Sequence, residues 1–360
     1  MASVHVNLGN RSYHVLCDYG LLQNAANLIK RAGLQGKAAV ITDSNVAPHY
    51  LSDLITQLES EGYNASCHIV KAGEASKSLS NTEALCREMT QQGHDRSSYV
   101  IALGGGVVGD LAGFVASVFY RGIPFVQIPT TIVSLVDSSV GGKTGVNIAE
   151  GKNLVGAFHQ PQLVIADPAT LTTLPGREYR EGYAEAIKHA AIRDAKMFEA
   201  LESLSALNQS PPAELIAHNI AIKARVVEED EQETSGTRAL LNFGHTIGHG
   251  IEASVPYGTF LHGEAISLGI RAALMLSEKY SSLNHQESER VLELLKAYQL
   301  PLTLDENIKT EVILEKMKRD KKFSGGTISF VLLQRLGSAY VSKDVTWKSI
   351  EIAIEALRVD

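Results

Sequence analysis

The apolar run Ser98–Leu103 ends abruptly in Gly104-Gly105-Gly106-Val107-Val108-Gly109-Asp110, and a helical stretch, Leu111–Tyr120, follows. Few architectures accept clustered glycines between a buried strand and a helix. The segment satisfies G-x-G-x-x-G, and in that setting backbone N–H groups at the positive end of a helix can meet a pyrophosphate. The bland reading is a tight strand-to-helix turn that needs positive φ. Two features depart from the usual dinucleotide fingerprint: about 100 residues precede the motif, and no acidic residue lies ~20 positions further on.

Around this turn, β-branched runs alternate with helical spacing. His14–Leu16, Ala38–Thr42, Cys67–Val70, Ser98–Leu103, Phe125–Ile128 and Leu163–Ala166 read as strands. Leu21–Ala32, Val46–Glu61 and Thr82–Gln92 read as helices between them. Such alternation predicts a mostly parallel sheet covered on both faces. The pattern changes at Leu174-Pro175-Gly176. Beyond it the spacing is helical in Tyr183–Asp194, Ala213–Glu229, Thr246–Ala253, Gly263–Tyr280, Gln286–Tyr298 and Ile350–Leu357, with a loop at Ser205–Pro212. Thr327–Leu333 and Ala339–Val341 read as a late hairpin. The expected division is an α/β domain over 1–174 and a mainly helical domain over 175–360.

Composition narrows the function classes. Hydrophobic residues are 44% and charged residues 20% of the 360, the balance of a globular chain. No apolar run approaches a membrane span, and MASVHVNLGN lacks the basic and apolar segments of a signal peptide. The three cysteines, Cys17, Cys67 and Cys86, show no CxxC spacing. That disfavours a disulfide framework or a thiolate zinc site and fits a reducing, cytoplasmic setting. The net charge of −7 makes the chain a poor general binder of nucleic acid or anionic membrane. An anionic ligand therefore needs a local basic cluster.

Two glycine-rich polar stretches offer one. Asp137-Ser138-Ser139-Val140-Gly141-Gly142-Lys143-Thr144-Gly145-Val146-Asn147 and Gly151-Lys152-Asn153 carry lysines beside small residues in what read as loops. The first resembles the end of a P-loop, but Asp137 stands where that motif needs its first glycine, so a nucleoside-triphosphatase is disfavoured. Further on come Lys188, Lys223, Arg238, Arg319, Lys321 and Lys322. Charged residues usually lie on solvated faces, yet in an acidic chain these are the candidates for an anion clamp.

Metal-ligand types gather in the second half. Glu185 and Lys188 share a helix face at i, i+3; His245 and His249 share one at i, i+4; His262 follows in Leu261-His262-Gly263-Glu264. Position 246 is threonine where a zincin carries its general-base glutamate, so a metalloprotease is disfavoured. A lone histidine is more often a satisfied core residue. Three in eighteen positions, with a carboxylate, favour a divalent metal such as zinc.

Taken in order, these motifs resemble the 3-dehydroquinate synthase family of sugar-phosphate cyclases. The residues are GGGVVGDLAGFVAS (104–117), RG (121–122), PTT (129–131), DSSVGGKTGVN (137–147), GKNLVGAF (151–158), DP and TLP (167–168, 173–175), EAIKHA (185–190), LNFGHTIGH (241–249), HGEA (262–265) and DKK (320–322). The resemblance implies an N-terminal Rossmann-like α/β domain that binds NAD and a mostly helical C-terminal domain with one divalent metal, zinc or cobalt. It implies conversion of 3-deoxy-D-arabino-heptulosonate 7-phosphate to 3-dehydroquinate and phosphate, a lyase reaction of the shikimate pathway.

Residue by residue, the resemblance assigns NAD to Asp43, Asn45, Glu74, Lys77, Gly105, Gly106, Asp110, Thr130, Thr131, Lys143, Lys152 and Thr173. It assigns the metal to Glu185, His245 and His262, which moves His249 from a candidate ligand to the substrate set. That set holds Asp137, Lys143, Asn153, Lys188, Lys223, Arg238, Asn242, His249 and one of Lys321 and Lys322. Arg121 matches an arginine that reaches the neighbouring subunit's site, which implies a homodimer. The competing readings are a metal- and NAD-dependent polyol or glycerol dehydrogenase, a sister cyclase such as 2-deoxy-scyllo-inosose synthase, and a non-catalytic nucleotide-binding scaffold.

Overall fold

The computed structural model describes residues 1–207, 210–319 and 328–359. By internal contacts the chain forms two compact units, one of Met1–Leu174 with Pro212–Gln232 and one of Pro175–Pro211 with Glu233–Asp360.

The first unit is built on a seven-stranded sheet. Its strands are β1 (Ala2–Val6), β2 (Tyr13–Cys17), β3 (Ala38–Asp43), β4 (Ala65–Val70), β5 (Tyr99–Gly104), β6 (Phe125–Pro129) and β9 (Leu163–Ala166), in the order β1-β2-β9-β6-β5-β3-β4. Only the β1–β2 pair is antiparallel. β3 and β5 are buried almost throughout, as parallel strands covered on both faces must be. One face packs on helices Ala25–Arg31 and Ala47–Ser60 through Leu28, Leu54, Leu58, Val40 and Ile101. The other packs on helices Leu79–Gln91 and Gly106–Val118 through Met89, Leu111, Val115, Ile41 and Phe125. From β3 the chain moves outward to β4 and then returns to lay β5 on the opposite side of β3. Strand order thus reverses between β3 and β5, the place where open parallel sheets bind ligands at their carboxyl ends.

Two stretches differ from the sequence expectation. The glycine-rich segments read as loops are β7 (Lys143–Ile148) and β8 (Gly151–Phe158), an antiparallel hairpin lying on helix Gly106–Val118. Small residues make the pairing possible there: a Cβ on Gly156 would stand 2.2 Å from the Thr144 carbonyl oxygen. Helix Ala213–Glu229, expected with the second domain, returns to the first unit and covers β1 and β2. Its Ala213 carbonyl accepts from the Cys17 thiol at 3.3 Å, its Glu228 accepts from the Asn7 N–H at 2.6 Å, and Glu231 just beyond grips Arg11 at 3.1 and 2.5 Å. Helical spacing shows which face is apolar but not which neighbour covers it, so a single boundary at residue 174 missed the return.

The second unit is helical around His262–Tyr280, whose residues are buried along most of its length. Helices Tyr183–Arg193, His245–Ala253, His285–Ala297 and Trp347–Ala356 pack against it, as does the hairpin of β10 (Phe330–Arg335) and β11 (Ser338–Ser342). Side-chain caps fix two helix starts: Asn284 accepts from the Glu287 N–H at 2.9 Å and Thr346 from the Ser349 N–H at 3.2 Å. Helices Ala195–Leu207 and Thr310–Arg319 had no counterpart in the sequence reading. Among the described residues, no helix is long and apolar enough to cross a membrane.

Candidate active site

In the first unit the carboxyl ends of β3, β5 and β6 gather the expected cofactor residues. Asp43 ends β3 and accepts from the N–H groups of Asn45 at 2.8 Å and Val46 at 3.1 Å. Gly105 precedes helix Gly106–Val118 without a side-chain cap, so the first-turn N–H groups are left to a ligand. Cβ atoms on Gly105 and Gly106 would stand 3.0 Å from Thr131 Cγ2 and 3.1 Å from Ser138 Oγ, so a larger residue would crowd this cradle. Thr130 is buried and donates its N–H to the Gly104 carbonyl at 3.0 Å.

Just past the first turn of that helix Asp110 accepts from buried Lys77 at 2.5 Å, and Glu74 lies 3.8 Å from the same ammonium. Burial pushes the Asp110 carboxyl above its ordinary range, and Lys77 opposes the shift. Asn147 donates to Glu74 at 2.8 Å, and its side-chain oxygen accepts from the Asn153 N–H at 2.8 Å. Asn147 thus ties the β7–β8 hairpin to the Glu74–Lys77 turn. It stood inside a quoted motif but was assigned no role. Thr173 shares a 2.6 Å hydrogen bond with the Tyr50 hydroxyl. Lys143 opens β7 and Lys152 lies near the start of β8, both exposed.

Asp137 lies on a π-helical turn, Ser134–Ser138, a local irregularity common at functional sites. Lys223, from helix Ala213–Glu229, donates to the Asp137 carbonyl at 2.6 Å and pairs with its carboxylate at 2.7 Å. Two residues expected in one site but in different domains are therefore bound together in one unit. Arg121 is exposed and follows Tyr120, with φ of 70° and 47°, a left-handed pair rare outside glycine.

In the second unit three helices converge on one carboxylate. Glu185, on Tyr183–Arg193, is fully buried. Its Oε1 has no hydrogen-bond partner, yet it lies 3.3 Å from His245 Nε2 and 3.4 Å from His262 Nε2. Its Oε2 pairs with Lys188. The His245, His249 and His262 imidazoles have nitrogens within 4.8 Å of one another. Burial alone would raise the Glu185 carboxyl; Lys188 and the imidazoles outweigh it and hold it well below its usual range. Burial and then Lys188 push His245 down to about 4, so it is a neutral donor. Burial also opposes a charged His262, but Glu185 and Glu252 prevail and hold it at about 10.

Close backbone approach makes this convergence possible. Gly244, at φ 77°, starts helix His245–Ala253, and a Cβ on Gly269 would fall 1.9 Å from the Gly244 carbonyl oxygen. Just upstream, the turn Arg238–Asn242 carries two expected substrate residues. Arg238 is buried, 3.6 Å from Glu233. Lys321 and Lys322 lie outside the described residues. Glu252, which the sequence reading passed over, stands 3.6 Å from His262 Nδ1. Its position, seven after His245 and three after His249, was the available signal.

Comparison with known proteins identifies the family. The sequence model for the 3-dehydroquinate synthase N-terminal region matches residues 67–181, and that for its C-terminal region matches 182–323. A 3-dehydroquinate synthase from Desulforamulus reducens is 44% identical over 349 residues, 96% of this chain and 97% of the relative. Among solved structures, 2-epi-5-epi-valiolone synthase from Streptomyces hygroscopicus, with NAD+ and Zn2+ bound, superposes with a TM-score of 0.87 at 28% identity, covering 99% of both chains. A 2-deoxy-scyllo-inosose synthase complexed with carbaglucose-6-phosphate, NAD+ and Co2+ superposes with 0.88 at 25% identity, again over 99% of both. With both halves of the family matched in order and nearly half of all positions shared with a relative of equal length, the chain belongs to the 3-dehydroquinate synthase family.

Proposed function

We propose that this protein converts 3-deoxy-D-arabino-heptulosonate 7-phosphate to 3-dehydroquinate and phosphate, using NAD and one divalent metal, zinc or cobalt. The observation that carries the reading is Glu185 Oε1, buried without a hydrogen bond against two imidazole nitrogens. One carboxylate and two imidazoles, His245 already neutral and His262 giving up its proton on binding, make the donor set of a catalytic metal with an open position. Glu185, His245 and His262 would hold the ion, and His249 serves the substrate. Asp43, Asn45, Glu74, Lys77, Gly105, Gly106, Asp110, Thr130, Thr131, Lys143, Lys152 and Thr173 would hold NAD. When bound, the two groups supply reversible hydride transfer and the Lewis acidity that eases ionisation of a secondary alcohol.

The chain's own residues supply orientation and charge. Lys143, Asn153, Arg238 and Lys321 or Lys322 grip the phosphate; Lys223 and Asn242 hold the carboxylate end. Charge-assisted hydrogen bonds of this kind contribute roughly 1.5–3 kcal/mol each where water is excluded. Lys223 reaches its substrate role already fixed by Asp137, so little side-chain freedom remains to be lost on binding. Lys188, locked to Glu185, keeps a positive charge beside the reacting hydroxyls. We assign the protein to the cytoplasm as a homodimer, with Arg121 reaching the partner's site; its exposed position on a strained turn supports that reach.

Mixing the protein with the heptulosonate phosphate and a catalytic amount of NAD tests the reading. Release of inorganic phosphate without accumulation of NADH is expected. Steady NADH formation would instead establish the dehydrogenase, and inertness toward this sugar with turnover of another sugar phosphate would establish a sister cyclase.

A further inference from the structure

The two imidazoles facing Glu185 are supported from behind by unlike groups. His245 donates from Nδ1 to the Phe243 carbonyl at 3.1 Å, which fixes Nε2 as its bare nitrogen. His262 has no such carbonyl at its Nδ1 among the described contacts; there the Glu252 carboxylate stands 3.6 Å away. The exposures differ as well. The His245 side chain is 11% exposed and that of His262 35%, so the second ring has room to turn.

The main chain at His262, by contrast, is firmly held. The Gly263 N–H donates to Glu181 at 2.6 Å and the Leu261 N–H to Glu264 at 2.8 Å. Glu264 is itself gripped by Arg177 at 2.7 and 2.6 Å. What is left free is rotation of the ring, and Glu252 is the charged group placed to select the orientation that aims Nε2 at Glu185. Its own helix is fixed, because Gly248 packs directly on the Ala265 backbone.

The geometry points to Glu252 as a positioning residue that orients His262 and raises its affinity for the metal. A carboxylate behind a ligating imidazole fixes tautomer and ring orientation and increases donor basicity. The inference deepens the metal reading above and rests on it.

The test is a Co2+ titration of metal-stripped protein in competition with a chromophoric chelator, with the visible d–d spectrum recorded. Glu252→Gln should weaken Co2+ binding about 10–100-fold and change the band intensities, while the thermal unfolding of the metal-free protein stays near wild type. Glu252→Asp, which keeps the charge but sets it back by one methylene, should fall between. It decides the matter if the glutamine variant does not fold: several-fold weaker binding supports the role, and wild-type binding overturns it. His262→Ala separates the two readings. Wild-type affinity in Glu252→Gln together with lost affinity in His262→Ala overturns the positioning role and leaves the metal centre standing. Equal affinity in wild type and His262→Ala overturns the metal reading itself.

Discussion

Replacing Gly269 by alanine should disable the second unit's donor set without touching any donor. The added Cβ would lie 1.9 Å from the Gly244 carbonyl oxygen and within 2.7 Å of the Gly248 nitrogen, both backbone atoms that cannot rotate away. Reaching an ordinary contact requires helices His245–Ala253 and His262–Tyr280 to part by about 1.5–2.1 Å. His245 rides on the first helix and His262 on the second, so their nitrogens part too. A metal site tolerates only ~0.2 Å of error in its ligand distances. The expected outcome is Zn2+ or Co2+ affinity reduced by about 100-fold or more. Overpacking should add roughly 1–3 kcal/mol of destabilisation. Gly250→Ala is the comparison: its Cβ would meet Met317 Cγ at 2.6 Å and Ile313 Cγ2 at 3.2 Å, so its strain falls on helix Thr310–Arg319 rather than on the helix pair that carries the donors, and affinity should fall less than in Gly269→Ala. Chelator competition measures affinity and thermal melting measures stability. A Gly269→Ala protein that binds metal and melts like wild type would refute the argument that backbone contact sets the ligand spacing.

Other outcomes follow from the same geometry. Lys143→Ala removes a residue assigned to both the phosphate and NAD, so it should lower turnover about 100-fold or more and also weaken NAD binding, read by fluorescence titration; near-normal turnover would discredit the phosphate clamp. Lys223→Met strips the ammonium from Asp137 and should cost roughly 1–3 kcal/mol, several degrees in melting temperature. Adding Asp137→Asn should recover part of that loss, and a double variant no more stable than the single one would show the pair uncoupled. His94 is buried, shares the Ser66 hydroxyl at 2.7 Å, and is held down to about 4 by burial, with Lys37 and His68 adding to the effect. Its native pKa lies below that of the unfolded chain, so stability is full above pH ~6.5 and falls toward pH 4, by up to about 3 kcal/mol. Melting curves at pH 5 and 7.5 for wild type and His94→Asn check this; equal pH dependence in the two would remove His94 as the source.

The α/β alternation was legible because each parallel strand is a short apolar run bounded by a turn, as Ser98–Leu103 is by its glycines. The gathering of His245, His249 and His262 was legible because the first two share a helix face at i, i+4 and the third follows within eighteen positions. The β7–β8 hairpin was not, since Gly142, Gly145, Gly151 and Gly156 dilute the strand signal that close pairing then requires. β1 (Ala2–Val6) was missed because it is a five-residue edge strand with a single buried residue, Val6, too short a signal to stand out. Spacing alone could not choose between His249 and Glu185 as the third donor, because both lie on helices that carry a candidate ligand face.

Helix Ala213–Glu229 has a consequence for biosynthesis. A ribosome delivers the chain from its amino end, so the first unit stays incomplete until residue 232 has emerged. By then Pro175–Pro211, which belongs to the other unit, is already outside the tunnel. A fragment truncated after Leu174 would leave the Asn7 N–H and the Arg11 guanidinium without their acceptors and Asp137 without its ammonium. Neither unit is a contiguous stretch of gene, so recombination or domain borrowing at one crossover would break both.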